Sequence, residues 1–218
     1  MTHKRAGNLK RILSWIGAVL IIAGVSLALF PFLENAYYRY FVLGQQKAST
    51  AWYWEDKPDE LSYVMLIEDH VKVIPERFPD KLIADEGFLT IPDIELSLAV
   101  GYGIEDADLR TGPSFYPQSG YPDTGNVSIA GHRNAYGSPF WHLDKLTNGD
   151  EIYLTYRGKN YIYQVDEVYI TNSTDWSVID PTPTPALTLT TCDPVIRPRD
   201  GEYDRLIVRA YLIEANKN

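Results

Sequence analysis

One residue in the chain carries a thiol. Cys192 ends the run Thr188-Leu189-Thr190-Thr191-Cys192 and is followed by Asp193-Pro194. A lone thiol has no intramolecular partner for a disulfide, so in an exported protein it is either buried and inert or chemically active. The leucine/threonine alternation is a strand pattern, and Asp193-Pro194 stops it. The sulfur therefore stands where a rigid element meets a loop, a common place for reactive groups. To attack a carbonyl near neutral pH, the thiol needs a base or a positive field. The sequence offers four histidines. His3 lies in a basic N-terminal tail and His70 in a mixed polar stretch. His132 follows Asn126-Val127-Ser128-Ile129-Ala130-Gly131, a second strand pattern that ends in a residue allowing close backbone approach to a substrate. His142 follows Phe140-Trp141 in a short helical stretch, so His132 is the expected partner. Arg205 opens a third strand pattern and supplies a permanent cation with several fixed donors. Arg209 lies on the same strand and, at period two, on the same face, so position alone leaves it a rival.

These residues need a rigid frame. From Gly87 onward the sequence is a series of short strand patterns separated by Gly, Pro, Asn and Asp. Strands are predicted at 87–91, 95–101, 126–131, 150–156, 159–171, 186–191 and 204–213. The firmest is a hairpin turning at Arg157-Gly158. Short helical turns are expected at 104–110 and 138–145. Many short strands with few helices predict an all-β, closed or nearly closed barrel. The Pro/Thr run at 180–185 reads as a stiff loop ahead of the cysteine strand. Glu105, Asp106 and Asp108 lack the spacing of a calcium loop and read as a solvated acidic helix. One cysteine and scattered histidines make no zinc set, and no metal or cofactor is expected.

The N-terminal text is of a different kind. Residues 12–33 contain no charge, with Trp15 at one end and Phe30, Phe32, Tyr37 and Tyr38 at the other, as suits two membrane interfaces. Ser26-Leu27-Ala28 resembles a cleavage site, but the apolar run continues past it and is long for a signal peptide. A retained anchor is the expectation, with the basic residues before it cytoplasmic and the bulk of the chain outside. Lys4, Arg5, Lys10 and Arg11 precede position 34 with no acid among them. The remainder therefore holds 16 basic and 29 acidic residues, a net of −13 against −9 for the whole chain. That sign argues against nucleic acid as a partner. Residues 34–86 read as an extracytoplasmic connection, with a break at Asp56-Lys57-Pro58-Asp59.

Three blocks, in order, resemble the signatures of sortases: Ala130-Gly131-His132-Arg133, Thr188-Leu189-Thr190-Thr191-Cys192 and Asp204-Arg205-Leu206-Ile207-Val208-Arg209-Ala210. The upstream text Ile91-Pro92-Asp93-Ile94 fits as well, and the similarity runs from about residue 87 to about 213. Sortases are cysteine transpeptidases of the outer membrane face of Gram-positive and related bacteria. The resemblance implies an eight-stranded barrel, with the additional strand expected near 176–180. It implies Cys192 as nucleophile, His132 as acid/base and Arg205, in preference to Arg209, as the cation at the reacting carbonyl. Thr191 and Ala130 are expected to contact substrate, and the backbone N–H of Asp193 is a further donor candidate. The chain then divides into a cytoplasmic tail (1–11), an anchor (12–33), a linker (34–86) and a sortase domain (87–218). The implied reaction cleaves a C-terminal Leu-Pro-x-Thr-Gly-like sorting signal on a surface protein and transfers the acyl group to an amine of a cell-wall precursor. The cysteine block, the single N-terminal anchor and the short text after the final strand look most like a class D or E housekeeping enzyme. Pilin polymerisation is the alternative role, with Trp52-Tyr53-Trp54-Glu55-Asp56 as an unorthodox lid. An inactive exported barrel that binds peptides is the alternative from another class.

Overall fold

A computed structural model describes residues 2–44, 87–195 and 203–217. The connection beyond residue 44, with the proposed break and lid text, lies outside the described residues.

Eight strands close into a barrel in the order β1-β2-β3-β4-β7-β8-β6-β5, β5 returning to β1. They are β1 (Gly87–Ile91), β2 (Leu96–Tyr102), β3 (Ser114–Phe115), β4 (Asn126–Ala130), β5 (Glu151–Tyr156), β6 (Lys159–Asn172), β7 (Ala186–Asp193) and β8 (Asp204–Lys217). Alternation in the sequence becomes alternation in burial: in β1 Gly87, Leu89 and Ile91 are buried, and in β5 Ile152, Leu154 and Tyr156. Leu98, Val127, Ile129, Leu187, Leu189 and Val208 complete the same apolar interior. The β5–β6 hairpin turns through Arg157 at φ 50° and Gly158 at φ 69°, two left-handed residues whose twist matches that of the strands they join.

The expected eighth strand is in a different place. Residues 176–180 do not extend; Trp176–Ile179 form a 3-10 turn, capped by the Asp175 carboxylate accepting from the Ser177 N–H. The additional strand is β3, two residues long, parallel to β2 and antiparallel to β4. The expected helix at 104–110 is α2 (Asp106–Leu109), held by a reciprocal cap in which Glu105 and Asp108 satisfy each other's backbone N–H groups. Of the stretch 138–145, only Leu143–Lys145 is helical.

Before the barrel, α1 (Thr2–Tyr37) continues into a π-helical turn, Tyr38–Val42, so the predicted boundary at residue 33 cuts inside one continuous rod. The stretch Leu13–Val42 is long and apolar enough to cross a membrane. Its 30 residues run roughly 45 Å at about 1.5 Å each, more than the ~30 Å of a hydrocarbon core. The C-terminal end of this helix abuts the barrel. There Leu43 is buried in the main core, and the Gly137 N–H donates to Asn35 Oδ1 at 2.7 Å.

Candidate active site

β7 is buried for its first six residues and emerges only at Cys192 and Asp193. Buried threonine hydroxyls each need a partner, and all have one. Thr188 donates to Asn126 Oδ1 at 2.6 Å, and Thr190 shares a 2.7 Å hydrogen bond with the Tyr116 hydroxyl. Thr191 donates to the Gly131 carbonyl at 2.8 Å. Leucines fill the barrel and threonines knit the neighbouring chain, so the sulfur is carried on a strand with little freedom to shift.

β4 runs parallel to β7, with Ala130 opposite Thr190, and the Gly131 N–H extends the ladder to the Thr190 carbonyl at 3.1 Å. His132 and Cys192 each lie two residues beyond that last pair. Parallel pairing thus delivers imidazole and thiol to one rim, on one face of the sheet. Gly131 is required by packing: a Cβ there would stand 2.6 Å from the ring of Phe140, which is fully buried. The Phe140 N–H in turn donates to the His132 carbonyl at 3.0 Å.

β8 is antiparallel to β7, and Arg205 is the direct partner of Cys192. Directly opposed residues project to the same face. Arg205 is half-buried there, its guanidinium about 5.9 Å from the ring centres of Trp176 and Tyr203, its Nε 3.4 Å from the Ser173 carbonyl. Arg209 is on the same face but four residues further, roughly 13 Å along the strand. It is buried opposite Thr188 and donates to the Val178 carbonyl at 2.8 Å. The two arginines that the period-two pattern leaves on one face differ in burial. Arg205 opens onto the thiol's end of the strand, and Arg209 holds down the 3-10 turn.

The two residues expected to contact substrate lie deeper than that. Ala130 is buried in an outer apolar cluster with Tyr116, Val178, Ile179 and Ile207, and the Thr191 hydroxyl is engaged by Gly131. Both sit beneath the rim as supports instead of on its surface. His142 is half-exposed and lines a cavity of about 310 Å³ with Arg39, Leu43 and Trp141, whose walls include neither His132 nor Cys192. Among the described residues, no group of acids, histidines and cysteine is arranged to hold a metal.

Sequence reasoning passed over two features. Arg133 is 4% exposed. Its Nη1 donates to the Cys192 carbonyl at 3.3 Å and to the Asp193 carboxylate, and its Nη2 lies 3.3 Å from Asp144. It therefore binds the histidine's loop to the cysteine's strand end. The signal was present as a basic residue beside His132 and an acid beside Cys192, but their pairing depends on the β4–β7 register. The second is Tyr136, whose ring lies 4.9 Å from the His132 ring at 58°. The Arg110 guanidinium covers the Tyr136 ring at 5.1 Å, and Asp106 receives both Arg110 (2.7 Å) and the Tyr136 hydroxyl (3.4 Å). The hydrogen bond from Arg110 is the main cause that holds the Asp106 carboxyl below the usual carboxylate range, with the His132 imidazole contributing to the field.

A family model of the sortase domain matches residues 89–213. The chain is 31% identical over 158 residues to sortase SrtE1 of Streptomyces coelicolor, a match covering 64% of this chain and 44% of that protein. It is 29% identical over 184 residues to sortase A of Listeria monocytogenes, covering 82% of this chain and 83% of that one. The chain thus spans less than half the length of the first relative and most of the second. Among solved structures, Listeria sortase A superposes with a TM-score of 0.57 at 29% identity, covering 62% of this chain and 91% of that one. Sortase E of Streptomyces avermitilis does so with 0.54 at 33% identity, covering 61% and 90%.

Proposed function

Because the chain belongs to the sortase family, we propose that it is a membrane-anchored cysteine transpeptidase acting on a sorting signal of Leu-Pro-x-Thr-Gly type. The observation that carries this reading is the meeting of three strand ends. Cys192 is opposed by Arg205 across β7 and β8, and His132 leaves the parallel neighbour β4 at the same level.

The Cys192 thiolate attacks the scissile carbonyl carbon, forming a C–S bond and a tetrahedral oxyanion. Arg205 donates to that oxygen from a guanidinium already fixed on the face of the thiol, so little reorganisation is needed as charge develops. Collapse breaks the C–N bond while His132 protonates the departing amine, leaving a thioester. An incoming amine from a cell-wall precursor loses its proton to His132 and displaces the sulfur. A new C–N bond forms and the thiolate returns. Arg133 holds the Cys192 carbonyl and Asp193 while this happens, keeping the strand end and the histidine's loop in one geometry.

The apolar helix supports anchoring in a membrane, with the basic N-terminus cytoplasmic and the barrel outside. Kinship with sortase E structures favours a housekeeping role over pilin assembly. Intact mass spectrometry of the full-length protein with a panel of sorting-signal peptides tests the reading. The expected result is an acyl adduct on wild type, absent from Cys192→Ala and released by an added amine. Peptide binding with no adduct on wild type would instead make the barrel a peptide-binding module.

A further inference from the structure

We propose that Tyr136 is a positioning residue for His132, and that the end of the membrane helix holds Tyr136 in place; this rests on the reading of His132 as the acid/base. Three observations converge. The Tyr136 ring packs on the imidazole at 4.9 Å and receives the Tyr38 ring edge-on at 5.1 Å. Tyr136 therefore links the histidine to the membrane-proximal turn. Its loop is held in an uncommon backbone state: Tyr136, Gly137 and Ser138 take φ of 48°, 82° and 55° in succession. Two of these are non-glycine residues in the left-handed region, a conformation that persists only where surrounding contacts over-determine it.

Those contacts come from the helix. Asn35 Oδ1 accepts from the Gly137 N–H at 2.7 Å and from the Ser138 hydroxyl at 3.4 Å. A Cβ on Gly137 would meet Leu43 at 2.6 Å and the Arg39 backbone at 3.1 Å, so loop and helix lie in close contact at that point. Tyr136 is also covered by Arg110, which Asp106 anchors. The ring is held by several neighbours, and the imidazole has a fixed wall against which to rest. Withdrawing the helix would loosen that wall and take Leu43 from the core, while leaving the strand pairing of Cys192 with Arg205 in place.

The test is steady-state kinetics of the full-length protein in detergent, with the best-cleaved peptide of the panel and triglycine as acceptor. Tyr136→Leu is expected to lower kcat by about ten- to a hundredfold, the scale on which small misplacements act, with KM changed by less than about twofold. Tyr136→Phe keeps the ring and should retain most of the rate. Tyr38→Leu is expected to lower kcat by a smaller factor, and the double variant Tyr38→Leu/Tyr136→Leu should be no slower than Tyr136→Leu alone, because both act through one contact. Wild-type kcat in Tyr136→Leu would overturn the proposal, as would a Tyr136→Phe loss equal to that of leucine, or full multiplication of the two single losses. Should Tyr136→Leu not fold, an unchanged kcat in Tyr38→Leu would overturn it by itself. His132→Ala in the same assay separates the two readings, since wild-type turnover there would remove the acid/base assignment and not merely its support.

Discussion

The distinction between Arg205 and Arg209 rests on what surrounds each guanidinium. Both project from one face of β8, and a period of two cannot separate them, which is why residue types alone left the choice to family resemblance. Burial separates them. Arg205→Ala is expected to cost on the order of a hundredfold or more in kcat, the usual scale for one oxyanion donor, and Arg205→Lys should lose much of it because a point charge cannot reproduce the planar fork. Arg209→Ala should instead cost stability, about 1.5–3 kcal/mol, the scale of a hydrogen bond from a charged group, by removing one of the two donors to the Val178 carbonyl, Asn126 being the other. Denaturant melts beside kinetics on the three variants check this; a stable, inactive Arg209→Ala next to an active Arg205→Ala would reverse the assignment. Cys192 and His132 stood out as candidates in the sequence because each is a reactive type at the end of a strand pattern. Tyr136 was not, since a tyrosine four residues past a histidine has no pattern that marks it as that histidine's neighbour.

At the scale of elements, seven strands were legible because each carries a period of two over five or more residues. β3 was not, because two residues have no period; it exists because Ser114 and Phe115 fall between β2 and β4 in the closed ladder. The stretch 176–180 was misread because its apolar residues face the outer surface of β4 and β8 from a turn. Asn126 fixes that turn, donating to the Val178 carbonyl at 3.2 Å and to the Asp180 carbonyl at 3.0 Å. The β4–β7 seam has two distinct supports, and each yields a prediction. Gly131→Ala would press a methyl into a fully buried Phe140 ring and is expected to destabilise by about 1–3 kcal/mol while displacing His132. Arg133→Ala releases the Cys192 carbonyl and strands Asp193 without its partner. A comparable loss of stability should accompany slower acylation, with Arg133→Lys recovering charge but not the forked contact. Thermal melts and single-turnover acylation measure both; an Arg133→Ala protein with wild-type values in each would mean that the seam holds without it.

Among the described residues, a closed barrel is tied to an apolar helix through Asn35, Tyr38 and Leu43. Every strand of the closed ladder comes from residues 87–217, so the strand pairing itself does not depend on the helix. Among the described residues, Leu43 is the one residue of the main core that precedes β1, and losing its burial costs about 1.5–3 kcal/mol. A protein lacking residues 1–33 is therefore expected to fold and to process peptide in solution. A protein lacking residues 1–44 should also fold, though less stably, and should be slower because Asn35, Tyr38 and Leu43 no longer brace the loop beside His132. In cells the outcome is expected to differ. With a cleavable signal in place of residues 1–33, the barrel would reach the outside but leave the surface on which membrane-held substrates are concentrated. The effective concentration that tethering provides would be lost, and surface-protein anchoring should fall even though peptide turnover in vitro persists. Fractionating cells that express either form, and measuring the wall-linked share of a sorting-signal reporter, tests this directly. Equal wall linkage by tethered and released forms would show that the helix acts on the barrel's geometry alone.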